Sequence, residues 1–367
     1  MHFLILSGAN ERAIVAACRS LRSDGIGFSI IARPRQDPIA RSFLTKHVVA
    51  TRSQDTLDVD DLVQTILAVR HRLPARLIYL PVSEALNRLV LRHRDRLTQE
   101  CRLEIPLPSL ATYELLSDKA SFNALALQFG LELPPSETLP HTAPLPLVAK
   151  PHAEFDAATH RKLYPVLMFE EHERQAFFAN ENVANYFFQR FVRGASHYYL
   201  MFFDRAGRCA SLFQENMAQQ PGGKSILAAQ SCDCPSPDFL ERLTRCIAST
   251  GFFGFCMVEA ITVEGRSYLI ELNPRLWGPL SLAVRAGFRI AWLGAPEAMV
   301  FPAPPDRKVR YAWLSGMLGT HLAGRKIRWY QRKRRDFYAH LWSFVRQDIY
   351  CSSLASLPMA VRELRRP

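Results

Sequence analysis

The sequence predicts an α/β N-terminal region that passes into an α+β body. Two short apolar runs, Phe3 to Ser7 and Phe28 to Ala32, flank a stretch of helical period from Glu11 to Ser23 that stops near Gly25. That alternation is the pattern of a βαβ unit in a parallel sheet. Beyond a Pro-rich linker, Leu133 to Pro146, strand-like runs crowd together with fewer helices between them, as expected for α+β organisation.

In chain order, Val59 to Arg72 reads as a helix and Arg76 to Leu80 as a third strand. Ser117 to Gly130 reads as one helix, with Ser117 as N-cap and Gly130 as its stop. Strands are expected at Leu147 to Lys150, Val166 to Phe169, Asn185 to Val192 and His197 to Phe203, with a helix from Glu170 to Ala179. Residues 210–230 read as a hairpin region and Pro237 to Thr250 as a helix. Past Phe301 the pattern is helical with basic interruptions: Tyr311 to His321, Arg334 to Arg346 and Leu357 to Arg365.

The totals narrow the classes. A chain of 367 residues with 48% hydrophobic and 22% charged residues is globular and long enough for two or three domains. It contains no apolar window long enough to span a bilayer, and its first strand is too short and too weakly flanked for a signal peptide. The eight cysteines are scattered with no C-x-x-C pair, so reduced thiols and a cytoplasmic location are expected and a structural zinc site is not. Of the net charge of +12, the residues from Phe301 onward carry +10, from 14 Lys/Arg against four acids. The basic character is therefore local.

Gly251 to Gly287 carries the chemistry. Two glutamates, Glu259 and Glu271, interrupt apolar strand residues on either side of a turn. A three-residue turn, Glu264-Gly265-Arg266, sets Glu259 opposite Glu271, with Cβ atoms roughly 4.5–5.5 Å apart and Asn273 on the same face. Met257, Ile261, Val263 and Leu269 would share that face and cover it. Facing carboxylates repel unless a proton or a cation lies between them, and two carboxylates plus an amide oxygen suit Mg²⁺. The competing reading is a solvated pair on an exposed face. A two-residue turn would separate the glutamates and remove the site.

Other motifs weigh less. Ser7-Gly8-Ala9-Asn10 turns at the end of the first strand, but Gly8 lacks the partner glycines of a dinucleotide fingerprint. Gly222-Gly223-Lys224-Ser225 lacks the upstream glycine of a P-loop, because position 218 is Ala218. Lys119 opens a helix, where free N–H groups favour anions, and Lys150 ends an apolar strand, from which its ammonium could project into a cleft beside the sheet. Each taken singly is an ordinary surface lysine; beside a carboxylate pair they form a triphosphate-and-metal constellation.

Taken together, Asp118-Lys119, Val148-Ala149-Lys150-Pro151, Gln189-Arg190-Phe191-Val192-Arg193-Gly194 and Glu259 with Glu271-Leu272-Asn273-Pro274-Arg275 resemble the ATP-grasp superfamily. The likeness is to carboxylate–amine ligases of the carbamoyl phosphate synthetase and biotin carboxylase group. It covers about residues 1–300. It implies a Rossmann-like domain at 1–110 and an ATP-grasp domain at 111–300, with a lid subdomain at about 140–195 and a larger mixed-sheet part. A basic helical extension at 301–367 is left outside it. By position, Lys119 and Lys150 would hold ATP phosphates, and Gln189, Arg190, Phe191 and Val192 would be the hinge whose backbone reads adenine. Ile261 would floor the base, Glu259, Glu271 and Asn273 would bind Mg²⁺ or Mn²⁺, and Arg275 would face the acyl phosphate. Pro221-Gly222-Gly223 resembles a segment near the acceptor site.

Three departures stand out. The loop after Lys150 has no glycine to cover phosphates, with His160, Arg161 or Lys162 as substitutes. Arg190 stands where an acidic residue is common, and Asn216 and Met217 where some relatives carry basic residues. The expectation is an ADP-forming ligase acting on a small-molecule carboxylate and amine. The alternative is a catalytically weakened nucleotide-binding protein. For the tail, the readings are attachment to anionic membrane, an acidic partner, or packing on the protein itself, with nucleic acid disfavoured.

Overall fold

Continuous apolar runs make strands that are buried on both faces. In the computed structural model, β1 (His2–Leu6), β2 (Gly27–Ala32), β3 (Val48–Thr51), β4 (Leu77–Leu80) and β5 (Leu103–Glu104) form a parallel sheet in the order β3-β2-β1-β4-β5. Helix α1 (Glu11–Ser23) shares one apolar cluster with Phe3 and Ile5, and α2 (Val59–Arg70) another with Leu4 and Leu6. Helices α3 (Glu84–Arg92) and α4 (Arg94–Cys101) complete this layer. The strand β3 was not expected: it is four residues long and only half-buried, too weak a pattern to read. The structure describes residues 1–152, 156, 158–159, 161, 163–302, 307–330 and 333–364; His160, Lys162 and Arg365 lie outside the described residues.

The single helix expected from Ser117 is two helices, α5 (Leu110–Ser117) and α6 (Lys119–Gln128). Asp118 separates them and is the N-cap in place of Ser117, its Oδ1 accepting from Ser121 N at 2.8 Å.

A small antiparallel sheet follows, with β6 (Ser136–Glu137), β7 (Leu147–Pro151), β8 (Val166–Met168) and β9 (Tyr186–Arg190) in the order β6-β9-β7-β8. One face packs Leu147, Ala149, Met168 and Phe188 against Phe177 of α7 (Glu171–Asn180). Strand alternation turns Val148, Lys150, Phe187 and Gln189 to the opposite face.

The large sheet contains β10 (Ala195–Phe203), β11 (Cys209–Gln219), β12 (Ile226–Cys232), β13 (Gly254–Val263), β14 (Arg266–Asn273), β15 (Arg310–Ala312) and β16 (Arg328–Trp329). Its order is β14-β13-β10-β11-β12-β15, with β16 on β11. These strands pair antiparallel, and single parallel bridges, Glu132 to Tyr268 and Ala312 to Asp348, give the edges their mixed character. Helices α6 and α8 (Pro237–Ala248) cover one face through Phe122, Leu243, Val258, Ala260 and Leu269. On the other face Tyr198, Leu200 and Met257 join the cluster that holds α1 and α9 (Leu280–Arg285).

The residues past 301 are not helical throughout, as the sequence pattern had suggested. Strands β15 and β16 join the large sheet, followed or preceded by α10 (Leu314–Leu322), α11 (Lys333–Ala339), α12 (Leu341–Arg346) and α13 (Leu357–Leu364). Strands of two or three residues leave no readable period. Buried Tyr311, Phe337, Phe344 and Tyr350 anchor this segment. So do Arg12, which stacks 3.8 Å from the Trp313 ring and donates to Tyr311 Oη at 3.0 Å, and Lys333, 2.8 Å from Glu215.

Candidate active site

The turn between β13 and β14 has two residues, not three: Val263 pairs with Arg266, and Glu264 and Gly265 both have positive φ. Positive φ at both central positions marks a type I′ hairpin, whose usual signal is Asn-Gly rather than Glu-Gly. By alternation alone this register would oppose Glu259 to Ile270 and send Glu271 to the other face. A β-bulge prevents it. Ala260 pairs with Leu269 and Glu259 with Glu271, leaving Ile270 as the extra residue. The glutamates therefore face each other despite the shorter turn. Leu269 is corrected to the opposite face, where it packs with Val258 and Ala260.

The two carboxylates have different surroundings. Glu259 receives one long hydrogen bond, from Ser196 Oγ at 3.4 Å. Burial, then the charge of Glu271, push its carboxyl above the usual range, only partly opposed by Lys150 and Arg328. Burial acts on Glu271 as well, but Lys119, the Asn273 amide, Lys150 and Arg275 outweigh it and hold that carboxyl low. Lys119 Nζ lies 3.8 Å from Glu271, and Asn273 Nδ2 donates to Glu271 Oε1 at 2.9 Å. Asn273 Oδ1 in turn accepts from Arg275 Nη2 at 3.1 Å, and Arg275 approaches Glu84 at 4.0 Å.

Lys150 crosses from the small sheet to the large one. Its Nζ lies 3.4 Å from the carbonyl of the bulged Ile270, and burial lowers its pKa to about 8, with Lys119 contributing and the two glutamates opposing. On this side a cavity of about 620 Å³ is lined by Lys119, His152, Tyr164, Glu271, Asn273 and Arg275, together with Glu84, Arg88 and Arg92.

The hinge segment sits where β9 leaves the small sheet. Gln189 is buried, donates Nε2 to Pro134 O at 3.3 Å, and leaves its Oε1 without a partner. The Arg190 side chain is exposed and pairs with Glu137 at 3.4 Å. Phe191 meets Phe169 edge-on at 5.2 Å, and Val192 continues toward Gly194. A Cβ at Gly194 would lie 2.5 Å from Thr262 O and 2.8 Å from Ile261 Cγ2. Glycine here lets the chain pass tight against β13, beside the buried Ile261. A second cavity, about 940 Å³, opens between Leu167, Phe169 and Phe191 on one side and Arg328, Trp329 and Tyr330 on the other.

Sequence reading missed a buried polar chain behind Glu259. Gln214 donates to Asn216 at 2.7 Å, Asn216 to Ser196 at 2.8 Å, and Ser196 to Glu259. Residues on neighbouring strands carry no common spacing, and of these only Asn216 stands out in the sequence. Among the described residues no cluster of three His, Cys, Asp or Glu forms a metal site. A cation here would rest on two carboxylates and the Asn273 amide, a hard oxygen set that fits Mg²⁺ better than zinc. The thinly hydrogen-bonded Glu259, pressed against a second carboxylate, fits that group.

No family model and no curated protein sequence matches this chain. Solved structures do. It is similar to biotin carboxylase from Campylobacter jejuni, solved as a β-γ-ATP complex, with TM-score 0.60 and 14% identity over 82% of this chain and 72% of that one. It is also similar to the biotin carboxylase domain of 2-oxoglutarate carboxylase from Hydrogenobacter thermophilus, solved with MgADP, ADP and bicarbonate. There the TM-score is 0.59 and the identity 15%, over 79% and 68% of the two chains. N5-carboxyaminoimidazole ribonucleotide synthetase from Thermus thermophilus gives a TM-score of 0.53 and 16% identity, over 76% and 72%. With the parallel N-terminal sheet, the small sheet carrying Lys150 and the large sheet carrying the glutamate pair, these likenesses identify the chain's architecture as the ATP-grasp fold.

Proposed function

We propose that this chain is an ATP- and Mg²⁺-dependent ligase that activates a carboxylate as an acyl phosphate and joins it to an amine. The observation that carries this is the Glu259–Glu271 pair held in register by the bulge, with Lys119 beside Glu271 and Lys150 beside the bulge carbonyl. Solved relatives of this fold with β-γ-ATP or MgADP support the choice of nucleotide and cation.

In this reading Lys119 and Lys150 bind phosphate, and Glu259, Glu271 and Asn273 hold the cation, Asn273 giving up its bond from Arg275. Mg²⁺, when bound, neutralises phosphate charge and polarises the transferred phosphoryl group. The unpartnered Gln189 Oε1 is an acceptor suited to the exocyclic amine of adenine. Arg88, Arg92 and Arg275 orient the substrate carboxylate, and Glu84 offers a negative charge to an amine. The carboxylate oxygen attacks the γ-phosphorus, and the bridging P–O bond breaks with ADP taking the electron pair. The amine nitrogen then attacks the acyl carbon, the C–O bond to phosphate breaks, and the amine's proton passes to solvent. The protein contributes position and charge, as in other phosphoryl transfers.

The test is purified protein with ATP, Mg²⁺ and paired pools of carboxylates and amines, followed by ADP release and product mass. ADP and phosphate released only with both pools present is the expected result. ATP binding without turnover on any pool would replace this reading with that of a nucleotide-binding protein that has lost catalysis.

A second reading concerns the tail and rests on its exposed face. Tyr338 and Trp342 are 55% and 66% exposed, with Arg334 over one ring and Arg346 over the other. No described helix is long and apolar enough to cross a membrane, but a basic, aromatic face suits the surface of an anionic bilayer. Co-sedimentation with anionic vesicles at low salt, lost in Trp342→Ala, is expected; no binding at low salt ends the idea.

A further inference from the structure

The outer wall of the cleft is built by a segment that the proposed chemistry has not used. Strand β10 last pairs with β11 at Glu215, and β16 takes over the same edge beside Ala218 and Gln219, with Trp329 opposite Ala218 and Arg328 opposite Gln219. Tyr330 locks the segment in place: its N–H donates to Met217 O at 3.0 Å and its hydroxyl to Gln219 Oε1 at 2.5 Å. Arg328 therefore sits in a fixed strand position, next to the point where the hinge enters β10.

Its surroundings are those of a held cation awaiting an anion. The guanidinium carbon lies over the Phe191 ring, 5.2 Å from its centroid, and over the Tyr330 ring, 4.9 Å from its centroid, so hinge and tail each set an aromatic ring against it. It is half-buried and lines the cavity of about 940 Å³. Among the described residues it has no carboxylate in salt-bridge range. Glu173, Arg193 and Lys326 line the same cavity, while Gln214, Asn216 and Ser196 form a neutral hydrogen-bonded chain that ends on Glu259. Arg328 is also near enough to Glu259 for its charge to favour the ionised carboxylate.

A half-buried guanidinium stacked on rings keeps its in-plane N–H groups for an oxyanion, which it can bind bidentately. We propose that Arg328 is a ligand-binding residue of the cleft that takes a phosphate group of the nucleotide, delivered by the C-terminal segment and not by the lid loop. This rests on the ATP reading above. It assigns a role to a part of the chain left outside the family resemblance, and puts a cation next to the strand positions where Asn216 and Met217 lack one.

The experiment compares equilibrium binding of MgATP and of adenosine to the full chain and to Arg328→Ala, Arg328→Gln and Arg328→Lys. Charge loss should weaken MgATP by at least about tenfold in both Arg328→Ala and Arg328→Gln, with Arg328→Lys in between, while adenosine stays within about twofold. MgATP affinity within twofold of wild type in folded Arg328→Gln would overturn the proposal. An equal fall for adenosine would do the same, showing that Arg328 only packs the wall. If the unmodified chain binds neither MgATP nor adenosine, the ATP reading itself fails and this assignment falls with it.

Discussion

The inner end of the cleft and its outer wall are built in opposite ways. Glu259, Glu271, Asn273 and Arg275 belong to one hairpin and the turn that follows it. The outer wall gathers Phe169, Phe191, Gly194 and Arg328–Tyr330 from the small sheet, the hinge and the tail. A hairpin brings its chemistry together by local pairing, so only turn length and bulges can spoil it. The outer wall exists only after segments more than a hundred residues apart have docked. What the contrast teaches is that a local site can tolerate an error in turn geometry, whereas a non-local wall depends on packing throughout.

The largest effect separating the two should come from Glu271→Ala. Removing one member of the facing pair should lower Mg²⁺-dependent turnover by at least about a hundredfold, roughly 3 kcal/mol of transition-state stabilisation. Circular dichroism should be unchanged. Retained ADP release would show that the hairpin is not the catalytic end.

Gly194→Ala strikes the outer wall instead. A methyl placed 2.5 Å from Thr262 O must push the hinge off β13, costing about 1–3 kcal/mol of stability in urea unfolding. Nucleotide affinity should fall along with it. A variant as stable as wild type would mean that the hinge does not depend on this close approach.

Deleting Ile270 should do least, and it sharpens the comparison most. The two-residue turn without the bulge sets position 270 opposite Glu259, and in the deletion that position is filled by Glu271. The carboxylates still face each other, and only the carbonyl near Lys150 is lost. Mg²⁺ affinity should change by less than about tenfold. A loss as deep as that of Glu271→Ala would show that the bulge positions the carboxylates in some way beyond register.

Much of the inner end was legible because each group left a local mark. Two glutamates in apolar strands, a lysine at a helix start and a lysine at a strand end are visible in a linear sequence. Boundaries were less so: Asp118 caps α6 rather than Ser117, because both can cap and only the fold shows where α5 ends. Leu269 was assigned to the wrong face because one residue of turn length inverts every side chain after it. Strand β3 and the tail strands β15 and β16 are too short to show a period. In the sequence Arg328 is one more charge in the basic tail, and nothing there marks the strand that receives it.

The α/β start, the order of Lys119, Lys150, Gln189 to Val192 and the two glutamates, and the hard-oxygen character of Glu259, Glu271 and Asn273 are readable from the linear chain. These depend on residue type and short-range spacing, which a linear chain displays. That Glu259 and Glu271 face each other is settled in the folded sheet, through a bulge that corrects a shorter turn. The tertiary structure also decides that the basic tail joins the large sheet and sets Arg328 against the hinge. Register and docking are settled by cooperative packing of segments distant in sequence, and no local pattern encodes that.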